Sequence, residues 1–143
     1  MKIEEQVLSR EQMKHLQELG VDTSDASMCW VADNEWESEE DWHVTIPNNF
    51  LMPYNTIPTY TIGDLIEKLP KHFYIKEAQI SMVAINGSGA FQVCYDKVPK
   101  SCKSDGTIKN ALYKLLCWVA ENHKELLEVR NEENNILRRV RAF

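Results

Sequence analysis

The 143-residue sequence lacks the short motifs that usually mark a catalytic or cofactor-binding protein. It contains no GxxxxGK[ST] or GxGxxG phosphate loop, no GxSxG nucleophile turn and no HExxH metal motif. Glycines number only five, and those of NGSG at 86–89 lie between two predicted strands, where a hairpin turn accounts for them. We therefore predict no cofactor and no catalytic residues.

Long apolar runs and closely paired cysteines are also absent. No apolar run approaches 18 residues, and the opening MKIEEQVLSREQ becomes acidic and polar after three residues, so we expect neither a membrane span nor a secretion leader. The four cysteines form no CxxC pair, and they are Cys29, Cys94, Cys102 and Cys117. We expect reduced thiols, mostly buried or semi-buried, in a cytoplasmic protein.

Basic residues are scarce in the first half of the chain. Residues 1–70 hold 14 acidic and 4 basic side chains, a formal charge of -10, whereas residues 71–143 hold 8 acidic and 12 basic ones, a formal +4. The most acidic stretch is DNEWESEEDW at 33–42, which we interpret as the connection between two strands. Acids framing an exposed tryptophan also make a candidate protein-binding surface, formed by Glu35, Trp36, Glu37, Glu39 and Glu40.

Oxygen and nitrogen ligands that a divalent metal could use occur together at the end of this stretch and just after it. Glu39, Glu40, Asp41 and His43 follow neither the spacing of a calcium-binding EF-hand nor that of a zinc site. We therefore predict a solvated acidic turn without a metal, with His43 at the start of a strand.

The residues that are present predict one folded α+β domain spanning 1–143, since 43% of them are hydrophobic and 27% charged. Ser9 and Gln12 form a capping-box signature before an amphipathic helix, and Thr61 and Pro70 bracket a short central helix. A long helix capped by Ser104 or Asp105 follows the second hairpin. We expect a small antiparallel sheet of two hairpins packed against these three helices, with strands near 28–32, 42–46, 78–85 and 90–96.

Three prolines break up the segment from 47 to 60, so that neither a helix nor a central strand is expected there. Between them lies a second candidate protein-binding surface, formed by Phe50, Leu51, Met52 and Tyr54.

The C-terminal segment NHKELLEVRNEENNILRRVRAF contains good helix formers, and we predict that residues 128–143 form a projecting helical tail. This C-terminal helix is a candidate surface for a homodimer. Its arginines could contact phosphates, but four glutamates lie on the same segment and the whole chain is acidic, so direct nucleic-acid binding is not expected.

Three stretches together carry a resemblance to a known group: LSREQMKHLQELGVDTSDASM, IPTYTIGDLIEKLPK and ALYKLLCWVAENHKEL. They resemble small uncharacterised proteins encoded by phages and integrated mobile elements of gut anaerobic bacteria. The last stretch departs from the group's pattern by placing Leu112 before Tyr113. The resemblance implies a bacterial cytosol and a mobile-element gene set, and it implies no activity, cofactor or catalytic residue.

These observations favour a non-enzymatic accessory or adaptor protein that binds another protein. Two alternatives stay open. One is an acidic mimic of DNA that inhibits a DNA-binding protein, because the first half is strongly acidic. The other is a hydrolase-type enzyme whose residues come together only in the folded chain.

Overall fold

The computed structural model describes residues 2–32, 42–47, 55–87, 90–127 and 139–140. The chain divides into two compact units, residues 1–65 and 66–143, and the division falls inside the central helix. The described residues form a mixed α+β structure with N-terminal, central and C-terminal helices, which confirms the predicted fold class. The strands belong to two antiparallel sheets rather than one. No helix among these residues is long and apolar enough to cross a membrane.

Helix α1 (Arg10–Glu18) begins at the predicted capping box. The Ser9 hydroxyl accepts a hydrogen bond from the backbone N–H of Gln12 at 3.1 Å, and the Gln12 side-chain oxygen accepts one from the Ser9 N–H at 2.9 Å. Gly20, at φ 87°, adopts the left-handed conformation that closes the helix. The buried face of α1 consists of Met13 and Leu16.

The first unit contains a three-stranded antiparallel sheet in the order β2-β1-β3, with bounds β1 Met28–Ala32, β2 His43–Thr45 and β3 Asn55–Thr59. The central strand β1 is buried at Cys29, Val31 and Ala32. Pro58 lies in β3, an edge strand, where a residue without an N–H is tolerated. The prolines therefore excluded a central strand but not an edge strand.

Helix α2 (Ile62–Lys68) is capped as predicted. The N–H of Asp64 donates to the Thr61 hydroxyl, and the N–H of Thr61 donates to the Asp64 carboxylate, both at 3.0 Å. Leu65 and Leu69 are buried, whereas Ile66, at the edge of the buried face, is exposed.

The second unit contains a four-stranded antiparallel sheet in the order β7-β6-β5-β4, to which β8 adds a short parallel pairing with β4. The bounds are β4 His72–Ile75, β5 Ala78–Gly87, β6 Ala90–Tyr95, β7 Val98–Asp105 and β8 Arg139–Val140. The predicted hairpin is β5–β6. Strand β4 was not predicted. The polar run expected to close the sheet forms strand β7, and the buried face of β7 is itself polar at Ser101.

Helix α3 (Ile108–Asn122) contacts β6 and β7 through its apolar stripe. Its cap is Thr107, whose hydroxyl accepts from the N–H of Asn110 at 3.2 Å, so the predicted cap at Ser104 or Asp105 is wrong. Asp105 instead accepts from the N–H of Thr107 at 3.1 Å. The stripe is formed by the buried residues Ala111, Leu112, Leu115, Leu116 and Val119.

The predicted continuous helix does not extend past Asn122. His123 has φ -144° and ψ 49°, and Lys124–Leu127 form a 3-10 turn in which both leucines, at 126 and 127, are buried. Arg139–Val140 are extended rather than helical, because they pair with β4. The remaining residues of the predicted tail lie outside the described part of the chain, and a helix there stays a prediction.

Candidate functional site

Both predicted protein-binding stretches lie outside the described residues. This holds for all nine predicted positions, which are Glu35, Trp36, Glu37, Glu39, Glu40, Phe50, Leu51, Met52 and Tyr54. The three carboxylates considered as metal ligands, at 39–41, lie outside them as well. These surfaces therefore stay predictions.

The residues flanking these stretches are described. Trp42 is half-buried, and the guanidinium carbon of Arg10 lies 4.5 Å from the centre of its ring. This distance is typical of a cation–π contact. His43 begins β2 as predicted and is exposed, and Ile46 is 71% exposed just after the strand. The first residue of α1, Arg10, thus contacts Trp42, the last residue of the acidic stretch.

The sheet of the second unit has one buried face and one face that we call the outer face. Ile80, Val93 and Tyr95 are at most 2% exposed and define the buried side. Since side chains alternate along a strand and paired residues share a face, their neighbours lie on the other side. The strand register places on that outer face Val83, Ile85, Gln92, Cys94, Cys102 and Ser104.

Two large aliphatic side chains on the outer face are exposed. Val83 is 37% exposed and Ile85 is 50% exposed, and they are neighbours at positions i and i+2 of β5. An antiparallel sheet with one solvated face normally carries polar residues there. Strand β5 instead carries apolar residues on both faces, the pattern of a strand that is covered on both sides.

The sequence of β5 does indicate this apolar surface, although the polar and apolar alternation in the neighbouring strand β6 suggests a sheet with one solvated face. The run ISMVAI at 80–85 is apolar at five of its six positions, which is typical of a strand buried on both faces. It predicts a strand, but it does not say whether the second face is covered by this chain or by another molecule.

Two of the four free cysteines lie on the outer face. Cys94 is half-buried and Cys102 is exposed, while Cys29 is buried and Cys117 half-buried, so three of the four thiols are buried or semi-buried as expected. Burial raises the pKa of the Cys94 thiol, and its interaction with Cys102 raises that pKa further. Burial also raises the pKa of Cys29 and Cys117. Cys94 and Cys102 are therefore near neighbours, unlike the other two.

The buried face of the same sheet carries a cluster of rings around His123. The ring centres lie 5.2 Å apart for Trp118 and His123, 5.8 Å for Phe73 and His123, and 5.0 Å for Phe73 and Tyr95. Burial lowers the pKa of His123, against the opposing effect of Glu125, whose carboxylate is 3.9 Å away. The Tyr95 hydroxyl donates to the Pro70 carbonyl at 2.8 Å. This arrangement is that of a packed core.

The hydrolase alternative would need histidines gathered with carboxylates in one site. His43 is exposed on an edge strand, and His72 lies beside Tyr74, with ring centres 6.3 Å apart. In the part of the chain that the structure describes, no three histidine, cysteine or carboxylate side chains are grouped so that they could hold a metal ion.

Comparison of this chain with protein-family models, curated proteins and solved structures gave no match.

Proposed function

We propose that this protein is a non-enzymatic accessory or adaptor protein that acts by binding another protein through the outer face of its second sheet. The observation that carries the proposal is the exposed pair Val83 and Ile85, which stand where a solvated sheet would carry polar side chains.

The surroundings of this pair suit a protein interface. Gln92 lies opposite Ile85 and Ser104 lies opposite Gln92, so polar groups border the apolar centre. An apolar centre with a polar rim is the usual arrangement of a protein–protein interface. The strands beneath it are fixed by the buried side chains of the same sheet, so the surface is rigid before binding.

The resemblance to proteins of bacterial mobile elements favours a partner from the same gene set or from the bacterial host. The predicted acidic and proline-spaced surfaces would then add to the contact or bind separately. A second copy of this chain is also a partner of suitable chemistry, since an apolar sheet face is self-complementary.

The proposal is tested with a double variant, Val83→Thr and Ile85→Thr, because threonine keeps the strand preference while adding a hydroxyl to the exposed surface. The wild-type chain is used to recover partners from the native host, and each partner is then purified and titrated against both proteins. We expect the double variant to weaken binding by at least about tenfold, as for loss of two central interface residues.

Ile46→Thr is the matched control, because it makes the same kind of change at an exposed isoleucine of the other unit. We expect the control to bind like the wild type. A partner that binds the double variant as tightly as the wild type would contradict the outer face as the binding surface. Recovery of no partner, with only monomer in solution, would contradict the proposed function itself.

A further inference from the structure

Two cysteines lie on the neighbouring strands β6 and β7, where the regular pairing of these strands ends. The register pairs Phe91 with Asp105, Gln92 with Ser104 and Val93 with Lys103. Cys94 follows Val93 and Cys102 precedes Lys103, so both cysteines adjoin the last regular pair. The register shifts between Val93 and Tyr95, and Tyr95 lies opposite Val98.

Both side chains lie on the same face of the sheet. Val93, Tyr95 and Ser101 are at most 1% exposed and point into the buried side, so the alternating neighbours Cys94 and Cys102 lie on the outer face. Burial raises the pKa of Cys94, and a hydrogen bond and charge interaction with Cys102 raise it further, which agrees with two thiols close to each other.

This placement matches the geometry of a disulfide. Paired residues of neighbouring antiparallel strands have Cα atoms about 4.5 to 5.5 Å apart, and the two cysteines adjoin such a pair, Val93 and Lys103. Disulfides bridge Cα atoms separated by about 4.4 to 6.8 Å, so the strands need no large movement to form the bond. The other two cysteines, Cys29 and Cys117, lie on a different sheet and on α3.

We propose that Cys94 and Cys102 form a reversible disulfide between β6 and β7, making this cysteine pair a redox modification site. The inference does not rest on the proposed binding function. Its oxidant is a low-molecular-mass disulfide of the glutathione class, and its reductant is the corresponding thiol.

The exposure of the two thiols sets the order of the reaction. The thiolate of Cys102, the exposed member, attacks one sulfur of the small disulfide, forms a mixed disulfide and releases one small thiolate. The thiolate of Cys94 then attacks the Cys102 sulfur and expels the second small thiol. Two protein thiols lose two electrons and two protons in total, and the small disulfide gains them as two thiols.

The raised pKa of Cys94 gives the second step a pH dependence. The thiolate is the attacking species, so closure of the disulfide should be faster at mildly alkaline pH than at neutral pH.

The test uses the full-length chain, reduced, freed of reductant and placed in mixtures of oxidised and reduced glutathione. We expect the intact mass to fall by two hydrogen atoms. Because lysines at 97, 100 and 103 are trypsin sites, an unreduced digest should link the peptide 77–97, which carries Cys94, to the tripeptide 101–103, which carries Cys102. Reduction with excess thiol should restore both free peptides.

Single variants assign the roles of the two thiols. Cys94→Ser should accumulate the glutathione adduct on Cys102, because the resolving thiol is missing. Cys102→Ser should form that adduct on Cys94 at least about tenfold more slowly, because Cys94 is less accessible. Cys117→Ser and Cys29→Ser are the matched controls and should form the 94–102 bond like the wild type.

Only seven residues lie between the two cysteines, so a disulfide could also form because they are close in sequence. A comparison with the unfolded chain tests whether the fold itself favours the bond. The ratio of disulfide to dithiol at fixed glutathione should be at least about tenfold higher in the folded protein than in concentrated urea. An equal or lower ratio in the folded protein would overturn the proposal. So would linked peptides in which Cys29 or Cys117 replaces either member of the pair.

Discussion

His123 follows the last residue of α3 and lies with its ring against Phe73 and Trp118. The side chain is only 7% exposed, so water does not stabilise a charged imidazole there. Burial therefore favours the neutral ring, and the nearby carboxylate of Glu125 only partly offsets this effect. Protonation of this one residue is therefore coupled to the packing of the sheet on α3.

This residue should make stability fall on the acid side of neutrality. The pKa of His123 lies below its ordinary value of 6.5, so between those two pH values the unfolded chain binds more protons than the folded one. The free energy of unfolding should decrease as the pH falls below 6.5 and level off, for this group, below the folded pKa. Urea unfolding at a series of pH values measures the effect.

The variant His123→Gln cannot titrate and should lack this part of the pH dependence. His43→Gln is the control, because His43 is exposed on β2, and it should keep the wild-type slope. If His123→Gln also retains the full slope between the folded pKa and pH 6.5, the assignment to His123 is wrong.

Strand β7 depends on a side chain to complete its pairing with β6. Where the register shifts, the backbone N–H of Tyr95 donates to the hydroxyl of Ser101 at 2.8 Å, and that hydroxyl donates to the Val98 carbonyl at 2.7 Å. Ser101 is fully buried. The hydroxyl therefore takes the place of a backbone partner at the irregular position of the ladder.

Ser101→Ala should destabilise the protein by about 1–3 kcal/mol, because it removes the acceptor of a buried backbone N–H. Urea unfolding gives the change directly. Ser104→Ala, at an exposed position of the same strand, is the control and should change stability by less than about 0.5 kcal/mol. Equal stability of the two variants would contradict the role given to the Ser101 hydroxyl.

Across the whole molecule, the charge divides in the same way as the two units. Residues 1–65 carry 13 acidic and 3 basic side chains, a formal -10, and residues 66–143 carry 9 acidic and 13 basic ones, a formal +4. Opposite charges on two parts of one chain favour pairing of one copy's acidic part with another copy's basic part.

We therefore expect weak self-association that depends on salt. Sedimentation velocity should give a larger average mass at about 0.02 M salt than at about 0.5 M, where such charges are screened over a few ångströms. Replacing Glu35, Glu37, Glu39 and Glu40 by Gln reduces the acidic charge and should make the difference smaller. An average mass that does not change with salt would contradict electrostatic association.

Local features were predictable because their causes lie within a few residues. The caps of α1 and α2 follow from Ser9 with Gln12 and from Thr61 with Asp64, each pair three positions apart. The apolar stripe of α3 and the alternation in β6 follow from helical and strand geometry. These elements could be placed before the fold was known.

The candidate binding surface was predicted elsewhere, in the two stretches that lie outside the described residues. The exposed pair Val83 and Ile85 was not singled out, because an apolar strand residue is more often buried than exposed. Strand β7 was missed because its buried face carries Ser101 instead of an apolar residue. In both cases the residue type did not indicate whether the position is buried or exposed.

The sequence by itself determined the α+β class, the helix starts and the central hairpin, since hydrogen bonds and periodicity over short distances decide them. Only the tertiary structure decided that the strands form two sheets, that α3 stops at Asn122 and that Cys94 and Cys102 lie close together on β6 and β7. These features depend on which strands pair and in which register. Register is set by the packing of residues far apart in the chain, which no local pattern records.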